Sequence, residues 1–520
     1  MSATGVGSGI REPPRYPARV RLHDLLAGLD VVEIVPREPD AGGVEVTSIT
    51  NDSRRVTPGG CYACIPGARV DGHAYAGDAV AAGAVALLVE RVLDSTDVGD
   101  VAQAHVPEVR AALGPAAANL FGHPSRALRC LGVTGTNGKT TTTFLLESIA
   151  RAGGAVPGVI GTVGARVAGA PFASGQVTPT TPEASDLQLL LAAMRDAGVG
   201  VVAMEVSSHG LARREVDGTE FAAVCFTNLG HDHLDYHHSL DEYFAAKSRL
   251  FDGSFARVAA VNVDDARGPE LAARAARVHE RLLAFGLAAD ASVTASDVRY
   301  DARGTTFTLV DREGGTSVPV RLPLVGPFNV SNALAAASVS LGVGFDAATI
   351  AAGLEGTDPV PGRAEPIDRG QDFAVVVDYA HTPDALAGLL DAARALADGG
   401  RVLAVFGAGG DRDRAKRPLM GAAVGRAADV AVLTSDNPRS EDPAAIAAEV
   451  RPGLDAGGAR VVVELDRRAA IRAALRDARR GDVVVVAGKG HETGQTIGTV
   501  TTPFDDRVVV AEELEALGWS

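Results

Sequence analysis

An apolar run from Leu128 to Val133 leads directly into T-G-T-N-G-K-T (Thr134–Thr140), and T-T-T-F-L-L-E-S-I-A continues with helical spacing until Gly153-Gly154 stops it. Strand, glycine turn and helix in that order belong to a mostly parallel α/β sheet. There the loop N–H groups and the helix N-terminus converge at the carboxyl edge and favour a polyphosphate. Gly135, Thr136, Asn137, Gly138, Lys139, Thr140 and Thr141 are the candidate nucleotide-binding residues. Lys139 is expected to reach the terminal phosphates and Thr140 to ligate magnesium. The strict phosphate-loop spacing is not met, because Gly132 precedes Gly138 by one residue too many and Val133 holds the expected glycine position. Such a loop also fits kinases, motors and switch GTPases, and a structural glycine turn is the plain alternative.

The same alternation continues on both sides. Strand-like runs V-G-V-V-A-M-E-V, A-A-V-C-F-T-N-L and R-V-A-A-V-N-V follow the loop, interleaved with helical pieces. After Pro359–Arg363 it restarts with F-A-V-V-V-D-Y, R-V-L-A-V-F-G, V-A-V-L-T-S-D, R-V-V-V-E-L-D and D-V-V-V-V-A-G. No G-x-G-x-x-G follows the first of these, so a bound nicotinamide is not expected. Upstream, H-P-S-R (His123–Arg126) interrupts both periodicities. The predicted class is α/β in three domains. Residues 1–127 form a flexible tail of about 18 residues and a small N-terminal α/β domain, 128–360 a central P-loop NTPase-like domain with a mostly parallel sheet, and 361–520 a Rossmann-like C-terminal domain.

Composition narrows the ligands. A formal charge of -16 argues against wrapping nucleic acid, which needs a basic face. No uncharged apolar run reaches the roughly 18 residues that span a bilayer, and the N-terminus lacks a signal-peptide pattern, so a cytoplasmic protein is expected. Cys61 and Cys64 form a lone C-x-x-C, read as core packing rather than zinc or redox chemistry. Only four of the 49 basic residues are lysines, Lys139, Lys247, Lys416 and Lys489. A lysine retained against that background is either chance or a mark of chemistry that a guanidinium cannot perform.

Three further segments carry chemistry. Glu205 ends a strand in E-V-S-S-H, where a carboxylate can hold magnesium or merely cap a helix. His231–His238 packs four histidines and two aspartates into eight residues, open to readings as a metal site, a magnesium periphery or a solvated loop. In D-E-Y-F-A-A-K-S-R-L-F, Phe244, Lys247 and Phe251 fall at i, i+3 and i+7, placing Lys247 on the inward stripe of a helix. It is there either as a snorkelling side chain or as a functional buried amine.

T-G-T-N-G-K-T, E-V-S-S-H, T-N-L-x-x-D-H-L-D-Y-H and Y-F-A-A-K, in this order, resemble the Mur ligases of peptidoglycan synthesis. The resemblance implies that Lys247 is carbamylated and helps hold magnesium, and that His233 assists at a second magnesium. With Lys139 and Glu205 these are the expected catalytic residues, and Thr140, Glu205, His233 and Lys247 the metal set. Downstream, G-P-F-N-V-S-N-A-L-A-A, V-V-D-Y-A-H-T-P-D-A-L, G-A-G-G-D-R-D-R-A-K-R-P, T-S-D-N-P-R-S-E and A-G-K-G-H-E resemble the tripeptide synthetases within that family. They imply a nucleotide set of Asn329, Asn332, Asp378 and His381, each otherwise a cap or turn residue.

The added amino acid is read from D-N-P-R. Asp436, Asn437 and Pro438 make a good turn without function, but Arg439 offers a fork that pairs with a carboxylate, and meso-diaminopimelate carries a distal carboxylate where lysine has none. Within the family D-N-P-R accompanies diaminopimelate, and Arg412, Gly488 and Glu492 match its other contacts. Asn51, Asp52 and Ser53 resemble a uridine-binding segment, and Thr180, Thr181 and Ser207 resemble contacts to a muramoyl peptide. The family's S-S-H-x-L-x-x-x-R is broken here. Glu215 stands where arginine is usual, with Arg213 and Arg214 just before it; either can substitute for the missing contact, and Arg213 is carried as the candidate.

The expected reaction is an ATP-dependent amide ligation through an acyl phosphate. It adds meso-diaminopimelate to UDP-N-acetylmuramoyl-L-alanyl-D-glutamate, with magnesium as cofactor and the chain acting as a monomer. The rivals are an L-lysine-adding ligase, a folylpolyglutamate synthetase-like ligase and, from another class, a P-loop switch protein.

Overall fold

The computed structural model describes residues 19–36, 41–67, 70–172, 180–301, 304–397 and 399–519. The expected tail, through about residue 18, lies outside them. The chain forms two compact units that interleave along the sequence. One comprises 1–132, 154–224 and 252–257, the other 133–153, 225–251 and 258–520.

The first unit contains a five-stranded sheet in the order Glu33–Val35, Ala102–His105, Ala84–Val89, Gly60–Ala63 and Ser48–Thr50, parallel except at the Glu33–Val35 edge. Side chains alternate across a strand. Cys61 and Ala63 therefore enter the core under helix Val109–Leu120, while Tyr62 and Cys64 enter the opposite one. With its two thiols on opposite faces, the C-x-x-C is packing, and burial pushes Cys64 up to about 12. The same unit carries strands Pro157–Gly161 and Val201–Glu205, which pair in parallel, so Glu205 comes to a carboxyl edge.

In the second unit, helix Lys139–Ala152 packs against Pro327–Gly342 and Ala347–Glu355. Residues Val258–Asn262 pair in parallel with Arg281–Phe285, and an antiparallel meander of Val293–Asp301, Gly304–Asp311 and Thr316–Leu322 follows. A six-stranded sheet then runs Glu365–Pro366, Ala374–Asp378, Val483–Ala487, Val402–Phe406, Val430–Leu433 and Arg460–Val463, with only the short Glu365–Pro366 strand antiparallel.

The near-continuous valine runs of this sheet reflect burial on both faces. Val376, Ala404, Ala431 and Val485 pack with Leu386, Leu390 and Val424, whereas Val377, Val405, Val432 and Val486 pack with Ile471, Leu475 and Val510. Helices on both faces make it doubly wound, and ligands of such sheets sit outside the carboxyl ends of the strands. Asp378 and Gly488 lie there, joined by a hydrogen bond from the Gly488 N–H to the Asp378 carbonyl (3.0 Å). Arg467 and Asp506, both fully buried, brace the same edge, since Arg467 also donates to the Ser435 and Ala487 carbonyls.

Among the described residues no helix is long and apolar enough to cross a membrane.

Candidate active site

The Thr134–Thr140 loop is held by its neighbours on every side. Gly138 adopts φ 86° as it enters helix Lys139–Ala152, a conformation glycine takes without steric cost. A Cβ there would collide with Asn332 Oδ1, and one at Gly135 with Thr227 Oγ1. The Thr136 N–H reaches the Asn228 carbonyl (2.9 Å), the Asn137 N–H reaches Asn228 Oδ1 (2.8 Å), and Thr227 Oγ1 donates to the Asn137 carbonyl (2.7 Å). The T-N-L triplet is therefore the frame of the loop. Asn332 in turn donates to Asn329 Oδ1 (3.1 Å), and both asparagines are buried.

Lys139 bends back over the loop and donates to the Gly135 and Thr136 carbonyls, both at 2.9 Å. Lys247 donates to the same Gly135 carbonyl at 2.8 Å. It is 1% exposed, with Phe244 and Phe251 buried beside it on the inward stripe, and its Nζ lies 4.3 Å from the centre of the Tyr243 ring. Burial first, and the Lys139 charge second, hold its amine well below the usual lysine range against the opposing pull of Asp232. An uncharged buried amine is nucleophilic enough to take up carbon dioxide.

Asp232 is the hub of the histidine segment. Lys416 reaches its Oδ1 at 3.1 Å, and His233 and His381 approach its Oδ2 at 3.4 and 3.6 Å. Burial pushes the Asp232 carboxyl up, but these three groups outweigh it and hold the group well below the usual range. His231 pairs instead with Asp413 (3.0 Å), and His237 packs on Tyr243. The cluster thus divides its roles, and among the described residues no three His, Cys, Asp or Glu side chains form a ready-made metal site.

Two residues outside the predicted set also touch this region. Arg363 donates to the Thr140 hydroxyl (3.0 Å) and stacks on Tyr379, and Thr136 Oγ1 reaches the Tyr243 hydroxyl (3.1 Å). Pro359–Arg363 read in sequence only as a boundary, because a lone arginine after a Pro-Gly turn carries no local signature. Asp378 accepts from the Ala364 and Ala380 N–H groups, each at 2.6 Å, and burial raises its carboxyl.

The D-N-P-R segment and A-G-K-G-H-E meet at the edge of the six-stranded sheet. The Asn437 amide donates to Glu492 Oε2 (2.8 Å), and the fully buried Lys489 amine joins Asn437 Oδ1 (3.1 Å) to the same carboxylate (2.8 Å). Gly488 leaves no room for a Cβ beside Asp436. Arg439 takes φ 53° and donates to the Gly410 carbonyl (2.6 Å). A Cβ on Gly409 would stand 3.2 Å from Arg439 Nη1 and 3.8 Å from Arg412 Cγ, so both arginines pack on one glycine.

In the other unit, both Glu205 oxygens are engaged by Thr162, through its N–H (2.9 Å) and its hydroxyl (3.0 Å), so Glu205 is not a helix cap. Thr162 Oγ1 is 3.2 Å from Thr180 Oγ1. Thr181 Oγ1 lies 3.1 Å from Ser207 Oγ and accepts from the Ser207 N–H (2.9 Å). Ser207 caps the short helix Ser208–Ala212. Asn51 reaches Glu183 (3.3 Å), and Ser53 opens the turn capped by Asp52. Thr180, Thr181, Ser207 and Glu205 are therefore one cluster.

Residues 133–340 match the family model of the Mur ligase middle domain, 362–490 that of the Mur ligase glutamate ligase domain, and 45–124 that of the Mur ligase family catalytic domain. A protein of Syntrophomonas wolfei named UDP-N-acetylmuramoyl-L-alanyl-D-glutamate--2,6-diaminopimelate ligase is 44% identical over 90% of this chain and 95% of its own length. One of the same name from Streptomyces coelicolor is 44% identical over 97% of this chain and 98% of its own. Among solved structures, a ligase of that name superposes with a TM-score of 0.67 at 33% identity, over 96% of this chain and all of that one. A Mycobacterium tuberculosis folylpolyglutamate synthase, 21% identical with a TM-score of 0.58 over 78% of this chain, shares the fold alone. On matches that extend from the N-terminal sheet to the D-N-P-R edge, the chain belongs to the Mur ligase family.

Proposed function

We propose that this chain is a cytoplasmic, monomeric, ATP-dependent ligase that joins meso-2,6-diaminopimelate to the D-glutamate of UDP-N-acetylmuramoyl-L-alanyl-D-glutamate in peptidoglycan precursor synthesis. The observation that carries the reading is the pair Arg412 and Arg439 on Gly409, beside the Asn437–Glu492–Lys489 network. Two guanidinium groups suit an amino acid with a distal carboxylate, and Glu492 suits its ammonium group.

In the proposed reaction an oxygen of the glutamate γ-carboxylate attacks the γ-phosphorus of ATP. An acyl phosphate forms as the bond to ADP breaks. The unprotonated diaminopimelate amine then attacks the acyl carbon, phosphate leaves, and the new amide nitrogen gives up its extra proton. Lys139 and the loop N–H groups offset charge on the transferring phosphoryl group, so the chain contributes positioning and electrostatics. Asn329, Asn332, Asp378 and His381 are assigned to the nucleotide, and Asn51, Ser53, Thr180, Thr181, Ser207 and Arg213 to the sugar peptide. The domains proposed are 1–127, 128–360 and 361–520.

Magnesium, when bound, neutralises the polyphosphate. Thr140 and His233 would hold it, and Lys247, whose burial favours the uncharged amine, would supply the missing anion once carbamylated. Glu205 is retained as a further carboxylate on the family resemblance. Phosphate release measured with each substrate omitted tests the function. Release that requires ATP, the UDP-sugar dipeptide and diaminopimelate together is expected. Equal turnover with L-lysine defeats the diaminopimelate assignment, and release without any amino acid favours a nucleotide switch.

A further inference from the structure

Glu215, which stands where the family usually has arginine, is placed among the residues assigned to the sugar peptide. A Cβ added to Gly210 would lie 2.8 Å from Thr181 Cβ and 2.9 Å from Glu215 Oε2, so the carboxyl and Thr181 press on the same short helix. Thr181 is the residue whose hydroxyl meets Ser207. Glu215 is only 4% exposed. Among the described residues none donates a hydrogen bond to its carboxyl oxygens, and the Arg213 guanidinium stands off at 3.9 Å.

The charges facing Glu215 are Glu183, Arg213 and Arg110. Glu183 is fixed by Asn51, at the other end of the sugar-peptide set. Arg214 is directed elsewhere. It takes φ 60° and pairs with Glu108 (2.8 Å) and Asp217 (3.4 Å). Of the two neighbouring arginines, this leaves Arg213, not Arg214, as the one that faces Glu215, together with Arg110. A buried carboxyl facing a second carboxylate, with no donor on its oxygens, keeps its proton.

We propose that Glu215 binds the UDP-muramoyl dipeptide as an uncharged carboxyl, donating a hydrogen bond to an anionic oxygen of that substrate while Arg213 supplies the positive charge. The inference rests on the ligase reading above and names a recognition element that this chain uses in place of an arginine. Its substrate carries carboxylates and a diphosphate, and an ionised Glu215 would repel either. Burial, and then the Glu183 charge, push the Glu215 carboxyl up to about 8, against the pull of Arg213 and Arg110. Recognition is therefore protonated at neutral pH and fails in mild alkali.

The test is calorimetric titration of the UDP-muramoyl dipeptide into the full chain between pH 6.5 and 9, for wild type, Glu215→Gln and Glu183→Gln. If only the protonated form binds, the wild-type Kd rises about tenfold from pH 7 to pH 9, as the competent fraction falls. Glu215→Gln, a permanent neutral donor, has a Kd that stays level and lies below the wild-type value at pH 9. Glu183→Gln, lacking the like charge, moves the wild-type break to lower pH, and this reading stands even if Glu215→Gln does not fold. A level wild-type profile, or the same rise in Glu215→Gln, overturns the proposal and leaves the ligase reading intact. Absence of sugar-peptide binding by wild type at every pH overturns both.

Discussion

Lys139 and Lys247, 108 positions apart in sequence, donate to one acceptor, the carbonyl oxygen of Gly135, at 2.9 and 2.8 Å. Two ammonium groups on one carbonyl repel, and burial favours the uncharged form of Lys247, which is 1% exposed. Conversion of its amine to a carbamate turns repulsion by Lys139 into attraction.

Lys247→Ala should lower phosphate release by more than a hundredfold, with partial recovery in millimolar acetate, while Lys247→Met should match or exceed the wild-type melting temperature. The stabilisation follows because a buried amine costs free energy that an unbranched apolar thioether does not. Carbon-13 NMR after equilibration with labelled bicarbonate should show a carbamate signal that disappears in both variants. Full activity in Lys247→Ala would end the carbamate assignment.

Arg439→Ala removes a fork that a distal carboxylate can use. The lost charged hydrogen bond is worth about 1.5–3 kcal/mol, or roughly tenfold to a hundredfold. KM for diaminopimelate should rise by that factor with KM for ATP little changed, and the preference over L-lysine should shrink by the same factor. A parallel rise in both KM values would mean that Arg439 shapes the sheet edge rather than the amino-acid subsite.

Asp232→Asn leaves Lys416, 6% exposed, without its buried carboxylate. Breaking one side of a buried pair costs about 3–5 kcal/mol. The variant should unfold at clearly lower denaturant concentration. The double variant Asp232→Asn with Lys416→Met should recover much of the loss, and failure of the double to recover would place the cost in His233 or His381 instead.

Arg417, 1% exposed, is gripped by Glu441 at 2.7 and 2.9 Å and by Glu449 at 2.8 Å. The Arg417 hydrogen bonds pull the Glu441 carboxyl down to about 2, against burial. A depressed folded value means that the stabilisation is complete above pH 4.5 and disappears as pH falls toward 2. Acid unfolding followed by far-ultraviolet circular dichroism should therefore be less steep in Glu441→Gln. An unchanged acid limb would assign the transition to other carboxylates.

What the sequence disclosed, and what it withheld, follows physical lines. The Thr134–Thr140 turn was legible because strand, glycine and helix signals are local and contiguous, and the inward placing of Lys247 because its apolar neighbours repeat at helical spacing. The strand–helix alternation after Arg363 announced a Rossmann-like sheet. Arg363 on Thr140 and Thr162 on Glu205 were not legible, since each joins segments 223 and 43 residues apart and neither partner carries a periodic signal. The lone C-x-x-C could be settled only by strand geometry, which sends its thiols to opposite faces. The division of His231, His233 and His237 among three partners likewise depends on left-handed turns at His233 and His238 that histidine seldom signals.

Three of the four lysines are buried, and the fourth, Lys139, is half-buried over the phosphate loop. An amine-reactive ester therefore meets an outer surface on which arginine has taken over the cationic positions. Apart from the chain's own α-amine, acylation should fall on Lys139, and bound nucleotide should shield it. A reagent that elsewhere coats proteins indiscriminately becomes here a reporter of nucleotide occupancy, read as the mass increment on the peptide that contains Lys139. By the same token, coupling chemistries that depend on surface lysines will attach this protein poorly, or only at the cost of its loop.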